Sequence, residues 1–243
     1  MGDSFGDRMK GYENSYRIKF PKRMPVIIRI DGKAFSSYTK GMVKPFDEKL
    51  ADVMWATCQY LLQNIAGAKL AYTQSDEISI LVTNYDKLTT ESWFDNNLQK
   101  IVSVSASMAT AAFNDEIKQY YPEKGYALFD SRAYVIPPDE VNNYFLWRQN
   151  DSTKNSISMV AQANFSHKSL QGLNGSQMQD KLMLEKGINW NDLPTWQKRG
   201  ACIIKETYYK GDVERKRWSV DMDTPIFSKD PDYIEDYVYL QMN

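Results

Sequence analysis

The chain has 243 residues, 42% hydrophobic and 25% charged, with a formal net charge of −1. That balance supports a sizeable core and excludes global disorder, and it argues against a basic surface spread over the whole molecule. One histidine and two distant cysteines, Cys58 and Cys202, exclude a His- or Cys-rich metal centre, so any catalysis here falls to carboxylates and a hard cation.

No apolar run reaches membrane-spanning length, and residues 1–7 lack the basic and apolar regions of a secretory signal; a soluble cytoplasmic protein without membrane contact is expected. The short β-branched run at 24–30, bounded by Pro25 and Asp31-Gly32, predicts a buried strand. From Asp47, apolar residues Leu50, Val53, Met54, Leu61 and Leu62 recur at helical spacing until about Gly67. Residues 69–73 and 78–82 predict two strands joined through Gln74-Ser75-Asp76-Glu77 as a hairpin tip. A second helix is predicted over about 91–118, with Ile101, Val104, Met108, Ala111 and Ala112 inward, and a further strand over 126–136.

This β-α-β-β-α-β order is the ferredoxin-like split motif and also the skeleton of a polymerase palm, an arrangement that hosts many functions. The expectation is an α+β protein forming a single catalytic unit over 1–243. Its palm-like core lies at about 20–140, and a C-terminal helical and hairpin extension occupies about 141–243. In the extension, residues 165–178 predict a helix, a loop and a second helix; a turn at 190–194 leads into a helix with Trp196, Lys198 and Arg199. Residues 200–209 then predict a strand, turning at Lys210-Gly211-Asp212. His167 reads either as an RNA contact or as a surface or capping histidine. Trp218 beside Arg215 and Arg217 reads either as an RNA-stacking group or as core packing.

In this topology the strands ending at Asp31 and turning at Asp76-Glu77 are neighbours, which brings Asp31 and Asp76 to one rim. Carboxylates converging there repel unless cations bind between them, and hard oxygen donors suit Mg²⁺. The same residues are also ordinary turn formers.

The blocks Arg29-Ile30-Asp31-Gly32-Lys33-Ala34-Phe35, Lys44-Pro45-Phe46-Asp47, Gln74-Ser75-Asp76-Glu77-Ile78-Ser79, Phe129-Asp130-Ser131-Arg132 and Trp147-Arg148-Gln149-Asn150-Asp151 closely resemble the tRNA-histidine guanylyltransferase family. The resemblance spans roughly residues 3–170. It implies that Asp31 and Asp76 hold two Mg²⁺ ions with the Gly32 carbonyl, and that Glu77 supports the site from beside them. It further implies that the Gly32, Lys33, Ala34 and Phe35 turn receives a triphosphate on backbone N–H groups. Lys44 and Lys100 are expected near triphosphate or 5′-phosphate groups, Arg29 as a basic partner, and Ser75 as a hydrogen-bonding group at the tip. RNA contacts are expected at Arg132, Arg148, Asp151, Lys154 and Asn155.

Two stretches depart from the eukaryotic, histidine-specific branch: residues 153–159 replace its "HINNLYN" run, and Ser36 stands where that branch has histidine. The chain resembles instead the bacterial and archaeal guanylyltransferase-like branch. This resemblance implies a template-dependent 3′-to-5′ nucleotidyltransferase that repairs the 5′ end of truncated tRNA. ATP or GTP activates the 5′ end, nucleoside triphosphates are added, and the enzyme works as a homotetramer. Rival readings are a dedicated enzyme adding one G to histidine tRNA, and a palm-like nucleotide cyclase or nucleotide-binding regulator.

Overall fold

The computed structural model describes residues 4–239. In chain order its elements are α1 (Ser4–Asn14), β1 (Val26–Gly32), α2 (Phe35–Tyr38), α3 (Glu48–Asn64), β2 (Ala68–Gln74), β3 (Glu77–Val82), α4 (Leu98–Ile117), β4 (Phe129–Val135), α5 (Val141–Asn164), α6 (His167–Leu170), α7 (Gly175–Lys186), α8 (Thr195–Arg199), β5 (Ala201–Lys210), β6 (Val213–Asp221) and α9 (Asp232–Tyr239). The strands form one antiparallel sheet in the order β4-β1-β3-β2-β5-β6. The first four strands with α3 and α4 make the split βαββαβ arrangement, and β5 extends the same sheet through Ala201–Thr73 to Ile203–Ala71 pairing. Beyond that root, the rest of β5 and β6 pair only with each other, as an overhanging two-stranded ribbon.

The central strands β1, β2 and β3 bury apolar residues on both faces because both are covered. Val26, Ile28 and Ile30 of β1, with Ile78 and Ile80 of β3, pack on Val53, Met54 and Leu61 of α3 and on Ala109 and Phe113 of α4. The alternate residues Ile27, Leu70, Tyr72 and Leu81 pack on Val141, Tyr144 and Phe145 of α5 and on Ile234 and Val238 of α9. Each fully buried side chain of this size contributes about 1.5–3 kcal/mol. The two core helices α3 and α4 begin where side chains satisfy their first amides. Asp47 accepts from Leu50 N–H at 3.0 Å to start α3, and Asn97 accepts from Lys100 N–H at 3.1 Å to start α4.

The expected helix over 91–118 is therefore shorter. Residues 93–96 form a separate 3₁₀ turn in which Phe94 and Asp95 take left-handed φ values of 49° and 49°, and Asp95 pairs with Lys19. The expected strand over 126–136 likewise starts only at Phe129, with Tyr126 exposed. Among the described residues, four helices stand outside the expected set: α1, the four-residue α2, the 24-residue α5 and α9. Among the described residues no helix is long and apolar enough to cross a membrane.

Beneath the end of β1, Phe35, Phe113 and Phe129 meet with ring centroids 5.2–5.4 Å apart, and Tyr38 joins at 5.2 Å from Phe35. Replacing Phe113 with alanine empties the middle of that cluster. The change is expected to cost about 3–5 kcal/mol of unfolding free energy, read as a lower urea midpoint with unchanged slope; a shift below roughly 1 kcal/mol would show that the cluster is not a packed core.

Candidate active site

Register decides which side chains share the rim. On the face covered by α5, Asp31 lies opposite Glu77 in the β1–β3 ladder and opposite Asp130 in the β1–β4 ladder. One pleat further along, Arg29 lies opposite Ser79 and Arg132. A row of carboxylates thus borders a row of guanidinium groups, as period-2 alternation requires. Asp76 stands at the edge of the acidic row, in the two-residue turn closed by Gln74–Glu77 pairing. Ser75, first in that turn, holds φ at 50° without being glycine, a conformation that is costly for such a residue and is retained here at the rim. Its hydroxyl donates to the Asp76 carboxylate at 3.0 Å.

Burial, reinforced by the charges of Asp31 and Glu77, pushes the Asp76 carboxyl up to about 6, although the Ser75 hydroxyl and a backbone amide pull it down. Glu77 is buried and also raised, chiefly by its burial, and the guanidinium of Arg148 offsets part of that rise. Arg148 donates from Nε to one Glu77 oxygen at 2.6 Å and from a terminal nitrogen to the other at 2.8 Å. It also reaches Asp151 at 2.9 Å. Arg148, expected as an RNA contact, is therefore a buried group under the rim rather than a surface one.

The strand end curls tightly over Phe35: a Cβ at Gly32 would lie 2.2 Å from the Phe35 ring, so only glycine fits there. Ala34 holds φ at 55° before the short α2, and no side chain caps that helix. The Lys33 N–H donates to the Leu128 carbonyl at 2.8 Å. The expected cradle of backbone amides at 32–35 therefore loses that donor; the Ser37 and Tyr38 amides donate to the Ala34 carbonyl, which leaves those of Phe35 and Ser36 at the start of α2. Lys33 and Ala34 are exposed at this turn, and Phe35 is buried beneath it.

Beside the Ser75 tip opens a cavity of about 610 Å³, a size that fits a nucleotide. Lys44 and Phe46 of the 43–47 loop, Trp55 of α3, Asn155 and Met159 of α5, and Trp196 of α8 line it. Trp196 meets Trp55 and Phe46 edge to face at 5.6 and 5.9 Å. Asp47 fixes the loop: its carboxylate accepts from Val43 N–H at 2.8 Å and from the Tyr121 hydroxyl at 2.5 Å as well as capping α3.

The structure thus brings Asp31, Gly32, Asp76, Glu77, Ser75, Lys44 and Asn155 to one end of the sheet. Arg29 and Arg132 lie one pleat away. The Arg29 Nε is buried with no hydrogen-bond partner, and its guanidinium lies over Trp147 at 5.8 Å from the ring centroid. Arg132 is exposed and reaches Asp130 at 3.5 Å. Lys154 is exposed on α5. Lys100 does not join them within this chain: its neighbour Ile101 packs beside Val26 and Val82, at the opposite end of β1 and β3 from Asp31. Sequence reasoning missed Asp130 as a member of the acidic row, although it sits in a recognised block. It also missed the Phe46–Trp55–Trp196 wall, whose members no local spacing connects.

The donor set suits a hard divalent cation. Two carboxylates and a carbonyl at a strand end are oxygen donors, and crowding of negative charge around Asp76 is what such an ion would relieve. Among the described residues no three His, Cys, Asp or Glu side chains form a complete cage, so waters or substrate oxygens would fill the remaining positions.

The family profile for tRNAHis guanylyltransferase matches residues 6–137. A solved bacterial tRNA(His) guanylyltransferase-like protein in complex with ATP shares 69% identity, covers 98% of this chain and 100% of its own, and superposes with a TM-score of 0.93. A GTP complex described in the same words shares 65% identity over 98% and 100% of the two chains, with a TM-score of 0.87. The tRNA(His) guanylyltransferase of Debaryomyces hansenii is 29% identical over 212 residues, 79% of this chain and 78% of that protein.

Because the folded pKa of Asp76 lies near 6 and its unfolded value near 3.8, the folded state binds the extra proton. That stabilising contribution is complete below pH about 4 and is lost as pH rises through 6. Asp76→Asn removes the penalty, so in metal-free buffer at pH 8 it is expected to unfold several degrees above the wild type, equivalent to roughly 1–3 kcal/mol. The gap should close toward pH 4. A melting-temperature difference independent of pH between 4 and 8 would contradict the electrostatic account.

Proposed function

The chain belongs to the tRNA(His) guanylyltransferase family and is a nucleotidyltransferase, and from that premise we propose that it adds nucleotides in the 3′-to-5′ direction to the 5′ end of truncated tRNA, directed by the opposite strand of the acceptor stem. The observation that carries this reading is the acidic rim, where Asp31 and Asp76 stand together beside a nucleotide-sized cavity lined by Lys44. The sheet order of the first four strands is compatible with a polymerase-palm core.

In the first step an oxygen of the tRNA 5′-monophosphate attacks the α-phosphorus of ATP or GTP, and pyrophosphate leaves. In the second, the 3′-hydroxyl of an incoming nucleoside triphosphate attacks the activated 5′ phosphorus and AMP or GMP leaves. A 5′-triphosphorylated tRNA enters directly at the second step and releases pyrophosphate. Two Mg²⁺ ions, held by the Asp31 and Asp76 carboxylates and the Gly32 carbonyl, would supply charge neutralisation at the transferring phosphorus. The protein's own groups bind and orient. Lys44 and the first-turn amides of α2 attract the triphosphate, and the Phe46, Trp55 and Trp196 rings with Asn155 surround the base. Arg29 and Arg132 offer positive charge to the RNA 5′ end from the neighbouring row. No protein nucleophile is required.

Departures at residues 153–159 and Ser36 favour general repair over a dedicated guanylyltransferase. A cytoplasmic homotetramer fits the family resemblance. The apolar side chains of Met9, Tyr12, Tyr16 and Ile18 on and after α1, 42–73% exposed, provide surface for contacts between copies.

Purified protein given Mg²⁺, nucleoside triphosphates and a 5′-monophosphorylated tRNA lacking its first nucleotide is expected to restore that nucleotide by Watson–Crick pairing, resolved at single-nucleotide length. Asp76→Ala and Asp31→Ala are each expected to lower the rate by about 10²–10³-fold, in the range found when one stabilising group is removed from a phosphoryl- or acyl-transfer site. Chelation with EDTA should abolish it. Addition of G to histidine tRNA alone would favour the dedicated enzyme, and no extension even of 5′-triphosphorylated tRNA would overturn the polymerase reading.

A further inference from the structure

Glu77 follows Asp76 in the chain and faces Asp31 across the ladder, so backbone geometry alone offers it as a third ligand to any cation at the rim. Its carboxylate is not available for that. Both oxygens accept from Arg148, at 2.6 and 2.8 Å, and the two side chains are only 9% and 8% exposed. Arg148 is itself locked. Asp151, one turn along α5, accepts from it at 2.9 Å, and its guanidinium lies over the Trp147 ring at 4.4 Å from the centroid. A forked, planar cation held by three contacts fixes the orientation of its partner in a way that an ammonium on a flexible stem does not.

We propose that Arg148 is a positioning residue that holds Glu77 out of the metal coordination set, leaving a site of Asp31 and Asp76 whose other positions take phosphate oxygens. This rests on the reading of Asp31 and Asp76 as cation ligands. The reason for such a device lies in Mg²⁺ itself, which demands near-octahedral geometry and serves phosphate chemistry when the protein provides only one or two carboxylates. A third carboxylate swinging in would occupy a position that a substrate oxygen needs. It would also bind the bare ion more tightly without helping the transfer, since only interactions gained in the transition state accelerate it. The Arg148–Glu77 fork therefore trades affinity for the free ion against room for the nucleotide.

The test measures binding of Mn²⁺, used as the Mg²⁺ probe, to the full chain by electron paramagnetic resonance, in parallel with nucleotide addition. Asp76→Ala tests the underlying reading: if it binds Mn²⁺ like the wild type, the rim is not the metal site, and the proposal falls with that reading. With that control satisfied, Arg148→Gln is expected to bind Mn²⁺ roughly tenfold tighter, as one positive charge leaves a half-shielded site and Glu77 is freed, while nucleotide addition drops. Glu77→Gln should weaken Mn²⁺ binding by no more than roughly tenfold, the same charge effect with the opposite sign, because its side chain is not a ligand. The double variant should return to wild-type affinity. A merely structural role for Arg148 would weaken binding, so equal or weaker affinity in Arg148→Gln overturns the proposal. So does loss of Mn²⁺ binding in Glu77→Gln, and this single variant decides the matter if Arg148→Gln fails to fold.

Discussion

The antiparallel pairing of β1 with β3 in one register is the constraint on which the rest of the site depends. Side chains alternate across a sheet, so a slip of one residue would send every member of the rim to the opposite face. In the register observed, the residues that face α3 and α4 are the isoleucines and valines of the core, while Asp31, Glu77 and Arg29 turn toward α5. The hydrophobic effect on one face thus sets the placement of charge on the other. Buried apolar surface fixes the register, and the register fixes which carboxylates meet. No separate interaction is needed to bring Asp31 and Glu77 together, only one to make their proximity tolerable.

Several features of the site work in that second sense. Ser75 donates to Asp76, Arg148 donates to Glu77, and Arg29 and Arg132 stand one pleat behind. The arrangement leaves Asp76 in residual discomfort, as its raised carboxyl shows. The left-handed conformations at Ala34 and Ser75 add local backbone strain on either side of the same rim. Such frustration is expected where a protein is built to bind charge rather than to satisfy itself.

How much of this was legible in the chain follows from what each signal records. The strands and the helix after Asp47 were legible because period-2 and period-3.6 apolar patterns register burial directly, and Asp31-Gly32 and Ser75-Asp76-Glu77 stood out as turn formers between them. The long α5 was not. Its inward face carries Arg148, Gln149, Ser152 and Ser156, polar residues buried by pairing with Glu77, with the 225–227 segment, with Tyr72 and with Trp190 respectively, and a hydrophobic period cannot show them. The helix α1 was silent for the opposite reason, since it has no buried residue at all. The helical periodicity runs on through Phe94 and Asp95, whose left-handed backbones keep α4 from starting before Leu98. For Lys100 the resemblance implies a phosphate contact, and within this chain its helix turn lies at the other end of the sheet from Asp31. The aromatic wall of the cavity joins Phe46, Trp55 and Trp196 across some 150 positions, a distance over which only the folded path carries information.

The overhanging ribbon of β5 and β6 has a mechanical consequence. Its root is held at Ala201–Ile203 against Ala71–Thr73 of β2 and at Trp218, whose carbonyl accepts from Gln59 of α3 at 3.1 Å, and Thr73 in turn donates its hydroxyl to the Glu77 carbonyl at 2.8 Å. The ribbon is a cantilever whose fixed end lies directly under the turn that carries Asp76. A force on its free tip, some seven residues beyond Ile203, acts on the root as a bending moment equal to the force times the length of the arm. The root's answer to that load is a tilt of β2, which the Ser75-Asp76 turn shares.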